Sequence, residues 1–178
     1  MYIRESTDSD LADIINIHTE AFANDKEAEL VVNLFNDQSA QPILSLLACV
    51  GDIAVGHILF TTCRLPCTVQ KVSSVLLAPL AVIPSHQQQG VGGKLIKQGL
   101  ETLSDRGADL VFVLGHPSYY PRYGFFPAGC QGLHAPYPIP EQHADAWMVQ
   151  SLKPGILGSV EAKVVCADAL DRPEYWRE

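Results

Sequence analysis

LLAPLAVIPSHQQQGVGGKL, residues 76–95, runs from an apolar stretch through a proline-broken turn into glycines that open a helix. The backbone N–H groups of Gln87, Gln88, Gln89, Gly90, Val91, Gly92 and Gly93 would point out of that helix start, where no helical carbonyl is available to take them. Such a terminus suits an anion, above all a phosphate. The letters exclude two nucleotide-binding loops of similar look. A dinucleotide fingerprint beginning at Gly90 and Gly92 would need a third glycine where Leu95 stands. A P-loop ending at Gly93-Lys94 would need glycine in place of Gln88 and Ser or Thr in place of Leu95.

On the N-terminal side, residues 72–82 read as a strand interrupted at Ala78-Pro79. Proline has no N–H to donate, so the ladder is locally broken on one side, as at an edge strand or where a strand parts from its neighbour. On the C-terminal side, Leu95, Ile96, Gly99, Leu100 and Leu103 give residues 91–104 one apolar side, and Arg106-Gly107 ends the helix with a cation and a glycine. Residues 110–114 then form a short apolar strand, of the kind buried on both faces in a parallel pair. Strand, helix and strand make a right-handed crossover. The glycine loop falls at the C-terminal edge of the fourth strand, where α/β proteins generally bind ligands.

Upstream, Tyr2, Ile3 and Arg4 read as a first strand and the Ser6-Thr7-Asp8 cluster as a helix N-cap. Leu11, Ile14, Ile15, His18 and Phe22 recur at spacings of three and four, which predicts a helix over 7–22 with these residues on its apolar stripe. Asn24-Asp25 caps a second helix over 26–36, carried by Leu30, Val31, Leu34 and Phe35. Asp25, Glu27 and Glu29 favour the dipole of that helix; an acidic lip that attracts an amine is the other reading. Residues 43–50 and 53–62 form a hairpin about Gly51-Asp52, with Gly56 at a bulge or a close backbone approach. His18 and His57 read as packed structural residues.

The length of 178 residues suits a single domain spanning 1–178. With 47% hydrophobic and 18% charged residues the chain is too apolar for disorder, and its apolar runs are too interrupted to span a membrane. A net charge of −8 argues against gripping nucleic acid over a wide surface, although Lys94, Lys97 and Arg122 could make a local basic spot. The odd set Cys49, Cys63, Cys67, Cys130 and Cys166, and an N-terminus without a basic region followed by an apolar stretch, point to the cytoplasm. Cys63-x-x-x-Cys67 lacks the paired Cys or His that would complete a metal site, so no metal is expected.

GHPSYYPRYGF, residues 115–125, is the second informative stretch and is unusually aromatic. Beyond it, 127–140 is dense in proline with no helical or alternating pattern. Residues 147–152 and 160–165 read as two more strands completing a mixed sheet, and 168–178 as an irregular end anchored by Leu170, Tyr175 and Trp176.

Gln87-x-x-Gly90-x-Gly92 resembles the Q/R-x-x-G-x-G/A motif with which GNAT-superfamily N-acetyltransferases cradle the pyrophosphate of acetyl-CoA. Tyr120, four residues before Gly124-Phe125, resembles their F-Y-x-x-x-G-F pattern. The longer string L-G-x-P-x-Y-Y-x-R-Y/F-G-F, with L-A-V before the glycine loop, resembles the YhbS-like branch, in some members of which an aspartate stands where this chain has His116. The resemblance implies an α/β, GNAT-like (acyl-CoA N-acyltransferase) fold: a mixed, mostly antiparallel central sheet with splayed parallel strands 4 and 5 and flanking helices. It implies an N-acetyltransferase using acetyl-CoA as cosubstrate, attacked directly in a ternary complex by an amine of a small molecule or protein. A homodimer is compatible with it.

On that resemblance the pantetheine arm lies in the gap after Pro79 against Leu80, Ala81 and Val82, where a backbone N–H also stabilises the oxyanion. The pyrophosphate falls to the loop Gln87 to Gly93, with Lys94 beside it, and Arg122 is either a phosphate contact or an ion-pair partner. Tyr120 is the candidate acid for the coenzyme sulfur, since a phenol is a neutral donor at physiological pH; the alternative is a tyrosine packing the cofactor wall. Tyr119 and Tyr123 read as packing or pocket residues. The fourth strand carries no Glu or Asp, where many relatives place a general base. His116, a water held by the backbone and Ser74, or an amine that arrives deprotonated are the remaining options. The missing carboxylate keeps a second reading open, a non-catalytic acyl-CoA-binding or sensor module.

Overall fold

The computed structural model describes residues 1–66 and 68–177. Cys67, and with it the Cys63-x-x-x-Cys67 pair, lies outside the described residues. In chain order the strands are Tyr2–Glu5 (β1), Leu44–Val50 (β2), Ile53–Cys63 (β3), Ser74–Val82 (β4), Leu110–Leu114 (β5), Phe126–Pro127 (β6), Leu133–His134 (β7), Trp147–Ser151 (β8) and Ala162–Lys163 (β9). The helices are Leu11–Phe22 (α1), Lys26–Phe35 (α2) and Val91–Asp105 (α3). Seven strands form one sheet in the order β1-β2-β3-β4-β5-β8-β6, in which β4 and β5 pair in parallel and every other pair is antiparallel.

Helices cover both faces. Ile14, Ile17, Val31 and Leu34 of α1 and α2 pack with Leu47, Leu59, Leu76 and Phe112 on one face, together with Leu170 and Trp176 from the end of the chain. On the other face, Leu95, Ile96 and Leu100 of α3 meet Ile58, Phe60, Leu77 and Val111. Each such fully buried side chain stabilises the fold by roughly 1.5–3 kcal/mol relative to an exposed one. Two glycines let α3 sit this close. A Cβ at Gly99 would lie 2.4 Å from the Phe60 ring, and one at Gly56 would lie 3.0 Å from a Val91 methyl. Gly107, at φ +88°, closes α3, with its N–H bonded to Ser104 O and the N–H of Ala108 to Leu103 O.

The decisive irregularity is in β4. Phe60 pairs with Leu77 and Ile58 with Leu80, so Ala78 and Pro79 together stand opposite the one residue Leu59. This bulge shifts the in-out alternation by one. Val75 and Leu77 face α3 before it, and Leu80 and Val82 face α3 after it. The parallel ladder to β5 covers only Ser74 to Leu77 against Leu110 to Val113. Leu114 stays paired with Trp147 of β8. Beyond Leu77, therefore, β4 follows β3 while β5 follows β8, and the two parallel strands part. Pro79 marks this parting of a central strand, and the edge-strand alternative does not apply.

Three expectations are corrected. On α1 the buried residues are Ile14, Ile17 and His18, whereas Leu11 and Phe22 are 38% and 39% exposed. The stripe is set by packing on the sheet and leaves the helix's two ends outside it. Residues 160–165 do not extend the main sheet: only Ala162–Lys163 is a strand, paired in parallel with Leu133–His134 in a separate two-stranded sheet. The seventh strand of the main sheet is β6, which straddles the start of the proline-rich stretch 127–140 and pairs with β8 through Phe126 and Pro127.

Candidate active site

Where β4 and β5 part, a cleft of about 760 Å³ opens. One wall is the parted strands themselves, Leu76 to Leu80 and Val82 on one side and Leu114 and Gly115 on the other. A volume of this size lies within the range of small-molecule sites.

At one part of the cleft stands the start of α3. A single 3₁₀ turn, Pro84–His86, follows β4, and then Gln88 at φ +60° and Gly90 at φ +82° turn the chain into the helix. The first helical bond runs from the N–H of Lys94 to Gly90 O. Among the described residues, nothing accepts a hydrogen bond from the N–H of Gln88, Gln89, Gly90, Val91, Gly92 or Gly93. Gln87 departs from the expectation. Its N–H bonds to Pro84 O at 3.4 Å, and its side-chain amide donates to Val82 O at 2.8 Å. Gln87 thus ties the loop back to β4, and the free donors begin one residue later. A Cβ on Gly90 would meet no protein atom within 4 Å, so the space in front of it is open.

The aromatic stretch faces this loop. Cβ atoms on Gly92 and Gly93 would lie 2.6 Å from the Tyr119 hydroxyl and 2.3 Å from the Tyr123 hydroxyl, so these glycines let two phenols reach the helix terminus. Tyr120 packs edge-on against Tyr119 and Phe125, with ring centroids 5.1 and 5.8 Å away. Gly115 makes room for it, since a Cβ there would lie 2.2 Å from the Tyr120 ring. Burial, and then the neighbouring Tyr123, push the Tyr120 phenol up to about 12. It therefore carries its proton at neutral pH. Arg122 donates from Nε to Ser118 O at 3.2 Å and sits 5.8 Å from the Tyr119 ring centroid. Among the described residues it has no carboxylate partner.

Of the coenzyme-site residues expected from the sequence, Leu80, Val82, Gln87, Gln88, Gly90, Val91, Gly92, Gly93 and Arg122 line the cleft, as does Tyr120. Ala81 is buried beneath its wall, and Gln89 and Lys94 are exposed outside it. The options for a base fare worse. Ser74 is buried at the closed end of the β4/β5 ladder, its hydroxyl bonded to Cys63 O. His116 lines the cleft, but its Nδ1 accepts from both the N–H and the hydroxyl of Ser118, at 3.2 and 2.8 Å. That leaves its lone pair already occupied.

The remaining wall includes Glu27, which the sequence offers only as one acid of a possible acidic lip, and apolar residues that the sequence marks only as packing positions. Phe22, Glu27 and Leu30 from α1 and α2, and Leu170, Tyr175 and Trp176 from the end of the chain, complete the cleft. No local pattern brings them to one cleft, because they meet only through packing against the same face of the sheet. Behind them lies a buried polar chain. His18 Nε2 and His57 Nδ1 share a hydrogen bond of 2.8 Å, and His57 Nε2 lies 2.8 Å from Ser45 Oγ, which is 2.6 Å from Ser6 Oγ. Burial pushes His18 down to about 4, and burial together with His18 holds His57 well below the ordinary range. Both are structural and neutral.

A parallel strand pair parts beside a helix start whose N–H groups have no acceptor among the described residues, with a protonated phenol alongside, an arrangement that suits the class of protein that binds a ligand with an anionic group. Known proteins narrow that class. The acetyltransferase (GNAT) domain family matches residues 2–128, and the chain belongs to this family. It is 50% identical over 161 residues to the N-acetyltransferase YjhQ of Escherichia coli K12, covering 90% of this chain and 88% of that one. The structure of the E. coli GNAT-family N-acetyltransferase YhbS in complex with CoA superposes with a TM-score of 0.85 at 27% identity, covering 96% of this chain and 92% of YhbS. A GNAT-family acetyltransferase from Brucella melitensis in complex with acetyl-CoA gives 0.74 at 28% identity, covering 96% and 97%.

Proposed function

We propose that this chain transfers an acetyl group from acetyl-CoA to an amine by direct attack in a ternary complex. The observation that carries the reading is the row of six unpaired N–H groups from Gln88 to Gly93, set at the mouth of the gap between β4 and β5. The pyrophosphate takes those donors, supported by the helix dipole and by the free N–H groups of Arg122. The pantetheine arm runs into the gap, where Leu80 and Val82 form its wall and the strand edge freed by the bulge offers backbone groups to the arm and to the thioester oxygen. Binding the remote end in this way fixes the thioester for attack.

Tyr120 is the acid that protonates the departing sulfur, because it is half-buried in the cleft wall and holds its proton at neutral pH. Residues 1–178 work as one domain. A cytoplasmic location is supported by the free thiols of Cys49, Cys63, Cys130 and Cys166, and no helix among the described residues is long and apolar enough to cross a membrane.

Calorimetry with acetyl-CoA, followed by free-thiol release across a panel of amines, tests the reading. Saturable binding and amine-dependent thiol release are expected. Absence of binding would overturn the coenzyme site, and binding without thiol release for any amine would make the protein an acyl-CoA sensor.

A further inference from the structure

We propose that Glu27 is the group that receives the acceptor, and that the acceptor is a small primary amine, protonated in solution, on an apolar or aromatic body. The inference rests on the acetyltransferase reading and adds to it the acceptor class and the missing proton acceptor.

Glu27 lies in the first turn of α2, between Asp25 and Glu29, and all three acids would suit the helix dipole equally. Only Glu27 reaches the cleft. It is the one acid among the described residues lining it, whereas the other ionisable lining groups are His86, His116, Arg122, the tyrosines beside the glycine loop and Tyr175. Its Oε2 is closed off from solvent and has no hydrogen-bond partner among the described residues. Capping does not account for this atom. The first turn of α2 is served by Asn24 Oδ1, which accepts from the Lys26 N–H, and by Asp25 O, which accepts from the Glu29 N–H. A desolvated carboxylate oxygen without a donor is costly, and a ligand that brings a donor removes that cost.

The surroundings specify the donor. Phe22, Leu30, Leu170, Tyr175 and Trp176 wall the cleft on Glu27's side of the sheet. One carboxylate among apolar and aromatic walls selects a cation with an apolar body and rejects anions. The cleft's volume of about 760 Å³ must also admit the pantetheine arm, which leaves room for a small molecule.

The same contact completes the proton balance. The amine arrives as an ammonium on Glu27 and passes one proton to the carboxylate. The freed lone pair attacks the thioester carbonyl carbon, and the C–S bond breaks as the tetrahedral adduct collapses. Tyr120 gives its phenolic proton to the departing sulfur, and the second proton leaving the nitrogen returns to the Tyr120 oxygen. Amide and free thiol depart, and Glu27 releases its proton to solvent.

The test compares wild type, Glu27→Gln and Glu27→Asp with acetyl-CoA and two probes at about pH 7.5: 2-phenylethylamine, protonated there, and phenylhydrazine, neutral there. Wild type should release thiol with 2-phenylethylamine, and Glu27→Gln should lower kcat/KM for it about 100-fold or more, as for one partner removed from a buried charge pair. Acetyl-CoA affinity should stay within about two-fold, since α2 packs on the opposite face of the sheet from α3 and its free N–H groups. Glu27→Asp should recover part of the rate, and the glutamine variant's deficit should shrink with phenylhydrazine, which brings no charge to be held and no ammonium proton for Glu27 to take before attack. A purely structural role would lower both probes alike. Equal loss on both probes, an unchanged kcat/KM for 2-phenylethylamine in Glu27→Gln, or a wild type that binds acetyl-CoA but never acetylates 2-phenylethylamine would each overturn the proposal. A wild type that fails to bind acetyl-CoA would overturn the acetyltransferase reading itself.

Discussion

The two halves of the cleft are built on different principles. The half proposed for the coenzyme comes from two contiguous stretches, β4 with its glycine loop and the aromatic turn after β5, and it presents mainly backbone N–H groups and the conformations that expose them. The half proposed for the acceptor comes from side chains that the fold collects from both ends of the chain, with Glu27 and Trp176 on one wall. Backbone recognition demands particular residues at fixed local spacing, because φ angles and helix starts are local properties. Side-chain recognition demands only that packing deliver a group to the right place. One half is therefore constrained to keep its pattern, while the other is free to change its ligand.

The comparison is broken most directly at the point where the halves meet. Tyr120→Phe removes the phenolic proton and keeps the ring between Tyr119 and Phe125. We expect kcat to fall about 100-fold or more while the affinity for acetyl-CoA is unchanged, the range typical of a general acid. Turnover at the wild-type rate would reduce Tyr120 to a wall residue. Gly90→Val acts on the coenzyme half alone. The position is held at φ +82°, where a β-branched residue is strained, and the new side chain enters space that no protein atom occupies. Strain of roughly 1–2 kcal/mol predicts acetyl-CoA binding weaker by about ten-fold or more, and calorimetry showing wild-type affinity would mean that the loop does not meet the pyrophosphate.

A change of pH should loosen the other half first. His18 of α1 and His57 of β3 are buried neutral partners, with folded-state values pushed below the ordinary 6.5. As pH falls, the unfolded chain takes up those protons before the folded one does, so their contribution is intact above about 6.5 and is lost progressively towards 4. The carboxylates of Asp10 and Asp37, held below their usual 3.8 by hydrogen bonds from Arg4 and Thr7 and from Ser39 and Ala169, act only at lower pH. Melting at pH 5.5 should fall a few degrees below that at 7.5, with amide exchange rising in α1 before α3. A flat melting temperature across that interval would show that the histidine pair is not held neutral by the fold.

The sequence made the fold legible where periodicity was backed by a breaker. The β4-α3-β5 crossover was readable because Pro79, Gly90 and Gly107 punctuate it, and Gly107 does close the helix as expected. The β4/β5 parting was readable as far as Pro79 goes, but the shift in alternation needed the register with β3. The spacing predicts the end of α1 at Phe22 but neither its start, where a 3₁₀ turn over Asp8–Asp10 precedes the helix, nor its full stripe, since Leu11 and Phe22 satisfy the spacing while Ile17 packs beside Ile14 and His18. The two-residue strands β6, β7 and β9 are too short to carry any period, and they exist only through their partners. Glu27 was visible as an acid in a helix's first turn, a place that explains acids by itself, and nothing in the letters separates it from Asp25 or Glu29.

Gln87 sets the smallest and sharpest test of how local the coenzyme half is. The motif letter suggested one more backbone donor for the phosphate, whereas the structure spends that N–H on Pro84 O and uses the side chain to hold Val82 O. Gln87→Ala should therefore leave all six free donors in place and remove only the brace between loop and strand. One net hydrogen bond is worth about 1 kcal/mol, so acetyl-CoA affinity should fall about five-fold, far less than for Gly90→Val. Gln87→Glu separates the two roles further. The carboxylate loses the donor to Val82 O and sets a negative charge beside the anion site, so binding should weaken beyond the alanine variant and the gap should narrow in high salt. Equal affinities for the two variants would place the side chain away from the phosphate and leave bracing as its whole role.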